Sequence, residues 1–108
     1  MNNFELAGDP NTSPETLDLL ANNVSSGVRC RFAYNINTSP ETLDRLANDE
    51  DWLVRVRVAN NPNTPQKTLE RLANDKDCFL RCIVYNNPKT PQYLKNYLKI
   101  KEFLSCYE

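Results

Sequence analysis

The sequence repeats itself every 26 residues, and this period constrains the fold more than any other feature of the chain. Residues 11–36 and 37–62 share 16 identities when aligned at this period, and residues 37–62 and 63–88 share 15. Residues 1–10 align with the second half of a unit, and residues 89–108 form a divergent last unit that begins with a decayed copy of the motif. We therefore expect a single repeat domain in which each unit stacks on its neighbours.

The first half of each unit has the features of a short α-helix. Each copy begins with a threonine, a common N-cap whose hydroxyl can accept a hydrogen bond from a free backbone N–H group. Thr38 and Glu41 have the spacing of a capping box, and Leu43, Leu46 and Ala47 follow at the spacing of one helical face. The pattern predicts a short helix in each unit, capped by Thr12, Thr38, Thr64 and Thr90.

The second half of each unit fits two secondary structures. Residues 54–58 alternate valine with arginine, which is typical of a β-strand. The same region also places Trp52, Leu53, Val56 and Ala59 on one helical face, and a helix that is apolar on two sides suits a stack with a neighbour on each side. We favour the helix, with Asp51 and Asp77 as N-caps in two of the copies. This choice predicts an all-α, right-handed solenoid of two-helix repeats. A strand would instead give a leucine-rich-repeat-like α/β horseshoe.

Asparagine is unusually abundant, with fifteen copies in 108 residues. Twelve of them fall into columns of the repeat, at the two turns of each unit. Asparagine tolerates unusual backbone angles and caps helix ends, so we interpret these columns as turn formers.

The composition excludes several classes of function. The chain has 13 basic and 14 acidic residues, no histidine, and only two glycines. There can be no Ser-His-Asp triad and no histidine metal ligand, and two distant glycines do not form a phosphate-binding loop. No apolar run is long enough to span a bilayer, and the first residues lack the features of a signal peptide. We expect a cytoplasmic protein that is not an enzyme and uses no cofactor.

The cysteines and the tryptophan are expected to be structural. Cys30, Cys78, Cys82 and Cys106 lack the spacing of a four-ligand zinc or iron–sulfur site, and in a reducing compartment they should be packed free thiols. Trp52 shares its column with serine and cysteine, which suggests either a core site or a partly open ligand surface, and we favour the core.

One extended motif recurs in each copy. In the central copy it runs Val54-Arg55-x-x-Val58-Ala59-x-Asn61-Pro62-Asn63-Thr64-Pro65 and continues as Leu69-x-x-Leu72-Ala73-x-Asp75-x-Asp77. This motif resembles that of the leucine-rich-repeat-variant family. The resemblance implies a HEAT/armadillo-like solenoid in which α-helices alternate with short 3₁₀ helices. One family member carries an iron–sulfur cluster in a cysteine cluster outside its repeats, and no such cysteine cluster is present in this sequence.

Two columns of arginine are the main candidates for binding. Arg29, Arg55 and Arg81 share one repeat position, and Arg31 and Arg57 share another. Stacking would align each column into a ladder that could bind an acidic protein partner or the phosphates of a nucleic acid.

The first arginine column also has a structural interpretation. Asp51 lies four residues before Arg55, and Asp77 lies four residues before Arg81, so each pair could bridge one helical turn. Arg29 has a serine at the corresponding position and is expected to be the least paired of the three. Tyr34, which occupies a column of asparagines, is the aromatic residue expected to be exposed. The candidate partner-binding residues are Arg29, Arg31, Arg55, Arg57, Arg81 and Tyr34.

The last unit predicts an amphipathic helix over 93–104 that is longer than the first helix of a repeat. It is interpreted as a cap, with a homodimer or partner interface as the alternative. For the whole chain, the sequence favours a non-enzymatic scaffold that binds protein, with nucleic-acid binding through the arginine ladder as the alternative.

Overall fold

The computed structural model describes residues 2–23 and 25–105, with side chains as far as Lys101. Every regular element in this part of the chain is an α-helix. The helices are α1 (Asn3–Gly8), α2 (Pro14–Leu20), α3 (Ser26–Tyr34), α4 (Pro40–Leu46), α5 (Trp52–Asn60), α6 (Gln66–Leu72), α7 (Cys78–Asn86) and α8 (Gln92–Ser105). The all-α prediction is confirmed, and the α/β horseshoe is wrong for the described residues.

The second half of each unit is a helix of nine residues, which we call the second helix (α3, α5 and α7). The alternating valines of α5 are all buried, because this helix packs against α3 on one side and α7 on the other. Asp51 and Asp77 cap α5 and α7, as predicted, by accepting hydrogen bonds from the backbone N–H groups of Leu53 and Leu80.

The 3₁₀ helices that the resemblance implies do not occur among the described residues. The first helix of each unit (α2, α4 and α6) is a seven-residue α-helix, shown by the Leu43 N–H group donating to the Ser39 carbonyl four residues earlier at 3.0 Å. A unit of 26 residues therefore holds two α-helices and their turns.

The predicted threonine caps are wrong by one residue. Ser13 and Ser39 cap α2 and α4 by accepting hydrogen bonds from the backbone N–H groups of Thr16 and Thr42. The third copy has Pro65 at the cap position, without a side-chain hydrogen bond. The capping box predicted with a glutamate is therefore replaced by a serine–threonine pair.

The repeated threonines serve another purpose, because they are buried at the junction between units. The Thr38 hydroxyl donates to the Phe32 carbonyl at 2.6 Å, and the Thr64 hydroxyl donates to the Val58 carbonyl at 2.6 Å. The Phe32 and Val58 carbonyls lie in the last turns of α3 and α5, where each also accepts a hydrogen bond from the backbone N–H group of the C-cap asparagine. Each threonine therefore fastens the end of one second helix to the start of the next first helix.

The asparagines of the turns are also more than turn formers. The Asn61 side-chain amide is buried and donates to the Ala33 and Asn35 carbonyls of the preceding unit at 2.9 and 3.0 Å. Its oxygen accepts from the Asn63 N–H group at 2.8 Å. Asn35 and Asn87 make the equivalent bonds one unit before and one unit after. These residues form an asparagine ladder along the interior of the stack.

The helices form two layers along a molecule whose extents are 46 × 23 × 16 Å. Helices α1, α3, α5 and α7 pack on one another in series, whereas α2, α4 and α6 pack chiefly against the second helices.

The C-terminal helix α8 has 14 residues and packs against α7, as expected of a cap. Leu94 and Leu98 are buried in this contact, while Tyr93, Tyr97 and Ile100 are exposed. Within the described residues, no helix is long and apolar enough to cross a membrane.

Candidate functional site

The first arginine column is used to connect neighbouring units. Arg29 forms a bidentate pair with Asp49 of the next unit, with N···O distances of 2.8 and 3.2 Å, and both side chains are largely buried, at 13% and 8% exposure. Arg55 likewise contacts Asp75 at 3.1 Å. Arg81 is buried and donates to the Asp75 carbonyl at 2.6 Å.

These contacts correct the predicted pairing. Arg55 does not pair with Asp51 one turn before it, because Asp51 caps its own helix and Arg55 reaches across to the next unit. Arg29, expected to be the least paired of its column, forms a bidentate salt bridge with Asp49, and its N···O distance of 2.8 Å is shorter than the 3.1 Å of Arg55–Asp75. The Asp49 carboxylate that accepts this bond raises the pKa of Arg29 above its usual value.

The second arginine column reaches the surface of the second helices, with Arg31 exposed and Arg57 partly buried. None of the salt bridges among the described residues includes Arg31 or Arg57. Each guanidinium instead lies over an aromatic ring of the preceding unit: Arg31 at 4.1 Å from the Phe4 ring centre and Arg57 at 4.9 Å from the Tyr34 ring centre. Such cation–π contacts hold the guanidinium in place and leave its edge able to bind an anion.

An open groove of about 480 Å³ lies between these residues. Its walls combine charged, aromatic and aliphatic side chains: Cys30, Arg31, Tyr34, Leu53 and Arg57, with Gly8 at one end. A smaller cavity of about 160 Å³ shares Tyr34 and Arg57 with the groove. Tyr34 is 58% exposed, as the sequence predicted. We call Arg31, Tyr34, Leu53 and Arg57 the groove residues.

Gly8 keeps the end of the groove open for Arg31. A β-carbon at this position would lie 2.1 Å from Arg31 Nη2, too close for the guanidinium to stay where it is. In later units the same column holds Tyr34 and Asn60.

Sequence reasoning missed an aromatic patch beside the groove. Trp52, expected in the core, is 39% exposed and stacks on Phe79 with ring centres 5.8 Å apart. Leu53 and Phe79 share a repeat column and are both exposed. Trp52 and Phe79 lie at the first turns of α5 and α7, where the two rings contact each other and also face solvent. The volume differences within the Trp52 column were the signal that could have identified this patch.

The cysteines are less buried than expected. Cys78 and Cys82 are exposed and Cys30 is partly buried, all as free thiols, and Cys106 lies outside the described residues. Burial raises the pKa of the Cys30 thiol, although a hydrogen bond from Arg57 acts in the opposite direction. Residues 2–23 and 25–105 bring together no group of three potential metal ligands.

Comparison with known proteins supports the resemblance to a repeat family. Residues 52–77 match the family model described as leucine rich repeat variant. This segment covers α5, the turn after it, α6 and the turn that leads to α7. Neither a curated protein nor a solved structure matches the chain significantly.

Proposed function

We propose that this leucine-rich-repeat-variant array is a scaffold without catalytic activity that binds a protein partner through the groove residues of α3 and α5. The observation that carries the proposal is the setting of Arg31 and Arg57. Both guanidiniums are outside the inter-unit salt bridges, are fixed over aromatic rings, and line one groove with Tyr34 and Leu53. Arginine and aromatic residues are enriched where proteins bind each other.

The rigidity of the stack supports the same role. The asparagine ladder and the Arg29–Asp49 and Arg55–Asp75 pairs connect each unit to the next, so the groove is formed before any partner arrives. A preformed surface loses little conformational entropy on binding. The proposed array consists of a half unit at residues 1–10, full repeats at 11–36, 37–62 and 63–88, and a capping unit at 89–108.

Nucleic-acid binding through the arginine ladder is less well supported. Arg29 and Arg55 are occupied by carboxylates, Arg81 is buried, and the formal net charge of the chain is −1. Affinity for nucleic acid grows with the number of phosphates neutralised, and two remaining arginines supply few contacts.

We propose that the protein is cytoplasmic and is either a monomer or a homodimer. The three described cysteines are free thiols, which supports a reducing, cytoplasmic compartment. Tyr93, Tyr97 and Ile100 on α8 are exposed, which supports either a monomer whose C-terminal helix exposes apolar side chains or a homodimer through this helix. Sedimentation equilibrium distinguishes these two states.

A display selection tests the proposed binding function. Random 16-residue peptides are selected against the chain, and the selected clones are assayed against Tyr34→Ala/Arg57→Ala, which removes one cation–π pair. The matched control is Glu41→Ala/Arg45→Ala, two exposed positions on α4. We expect binders that are lost with the groove variant and retained with the control. No binders, or binders indifferent to the groove variant, would contradict the proposal.

A further inference from the structure

We infer that the groove binds an acidic peptide segment in an extended conformation, with one carboxylate on Arg31 and a second on Arg57. This inference rests on the proposed function and specifies the chemistry of the partner. The two arginines occupy the same position in successive units, so a ligand that contacts both must run along the stack and across the second helices.

Charge complementarity is the first support. The guanidiniums of Arg29 and Arg55 have carboxylate partners within the chain, whereas the edges of Arg31 and Arg57 are not used in a described salt bridge. The aromatic ring beneath each guanidinium occupies one face and leaves the N–H donors around its edge for a ligand. A carboxylate is the anion that fits this planar fork in a peptide.

The spacing of the units is the second support. Packed helices have axes roughly 8–10 Å apart, so the α-carbons of equivalent arginines on α3 and α5 are separated by about that distance. A peptide in the polyproline II conformation has three residues per turn and rises about 3.1 Å per residue, which places side chains i and i+3 on one side about 9 Å apart. Two acidic residues at i and i+3 therefore match one step of the repeat.

Apolar side chains of the groove supply the third support. Leu53 is 42% exposed and Tyr34 is 58% exposed, and they line the same groove as the two arginines. They offer an apolar contact to a residue between the two acids. A nucleic-acid backbone has phosphates for the arginines but no aliphatic side chain for Leu53, which favours a peptide.

A set of isomeric peptides tests this inference. The probe is a fluorescein-labelled peptide with the core Glu-Leu-Ser-Glu between Gly-Ser flanks, and its affinity is measured by fluorescence polarisation. The comparison peptides carry Gln in place of one or both Glu residues, or place the two Glu residues side by side. We expect at least tenfold weaker binding for the Gln peptides and at least threefold weaker binding for the adjacent pair, whose carboxylates cannot reach both arginines.

Protein variants locate the binding site. Arg31→Gln and Arg57→Gln are each expected to weaken the probe at least fivefold, and Arg45→Gln, the same charge change on α4, by less than twofold. Circular dichroism verifies that each variant keeps its helices. Any of three results would overturn the inference. The Glu and Gln peptides bind equally, the spaced and adjacent Glu peptides bind equally, or the probe binds Arg57→Gln as tightly as wild type.

The outcomes separate this inference from the proposed function. Displayed peptides that depend on Tyr34 and Arg57 but lack acidic residues would overturn the acidic ligand and leave protein binding intact. Failure of every peptide in both experiments would overturn both. A mixed-sequence 20-nucleotide single-stranded DNA is the last probe: DNA binding that is lost in Arg31→Gln and Arg57→Gln, without peptide binding, would overturn both in favour of nucleic acid.

Discussion

Asn61 binds Asn35 across the boundary between two units, its side-chain amide donating to the Asn35 carbonyl at 3.0 Å. The same amide donates to Ala33, and the Asn61 side chain is buried. One side chain thus satisfies two backbone carbonyls that water cannot reach. The relation recurs at Asn35 and Asn87, so the stability of the stack depends on this column.

Asn61→Ala should destabilise the protein by about 3 kcal/mol, because it removes a donor to the buried Ala33 and Asn35 carbonyls and the acceptor of the Asn63 N–H group. Urea unfolding followed by circular dichroism measures this change. Asn60→Ala is the matched control, since Asn60 is adjacent in sequence but exposed, and its effect should stay within about 0.5 kcal/mol. Equal effects of the two substitutions would contradict a special role for the asparagine ladder.

The inter-unit pair of Arg29 with Asp49 should show energetic coupling. A double-mutant cycle of Arg29→Ala and Asp49→Ala is expected to give a coupling free energy of about 1–3 kcal/mol, since the pair is bidentate and largely buried. The control cycle uses Asp51→Ala and Arg55→Ala, four residues apart on one helix. Its coupling should be below about 0.5 kcal/mol. A larger coupling free energy for Asp51 and Arg55 than for Arg29 and Asp49 would instead support the local pairing predicted from the sequence.

Asp44 makes the stability of the array depend on pH. A hydrogen bond from the Thr68 hydroxyl holds the pKa of the Asp44 carboxyl below its ordinary value of 3.8. A carboxyl with a lowered folded-state pKa stabilises the fold above its unfolded-state pKa, and that contribution is lost as the pH falls through the folded-state pKa. Thr68→Val should therefore raise the pKa of Asp44 and remove part of this acid-side dependence.

Carbon-13 NMR of the Asp44 carboxyl group measures the shift directly, and urea unfolding between about pH 2 and pH 6 measures its effect on stability. Thr42→Val is the control, because the Thr42 hydroxyl binds Asp18 in the preceding unit. An Asp44 pKa that is the same in wild type and Thr68→Val would show that the hydrogen bond is not the cause.

The described cysteines should differ in reactivity. Cys78 is exposed, whereas Cys30 is partly buried and its pKa is raised by that burial. The thiolate is the reactive form, so iodoacetamide should label Cys78 at least tenfold faster than Cys30 in the native protein at about pH 8. Mass spectrometry of the digested protein reads each site separately. In urea the labelling rates of Cys78 and Cys30 should become equal. Equal labelling rates in the native protein would contradict the difference in burial.

The sequence by itself determined the period of 26 residues and the first helix of each unit, and it favoured a helix over a strand for the second element. Capping residues, apolar spacing and prolines act within a few residues along the chain, so they can be recognised locally. Asp51 and Asp77 cap the helices that the sequence assigned to them. The exposed position of Tyr34 was also predicted, because its column is polar in the other units.

Only the tertiary structure decided which columns face each other. Arg29 on α3 pairs with Asp49, twenty residues ahead, because stacking brings the turn after each first helix against the second helix of the preceding unit. The same geometry separates the two arginine columns into an interior one and one that lines a groove. Periodicity shows that residues form a column, but the rotation and translation between units decide which columns touch. These are set by packing between units, which no local pattern encodes.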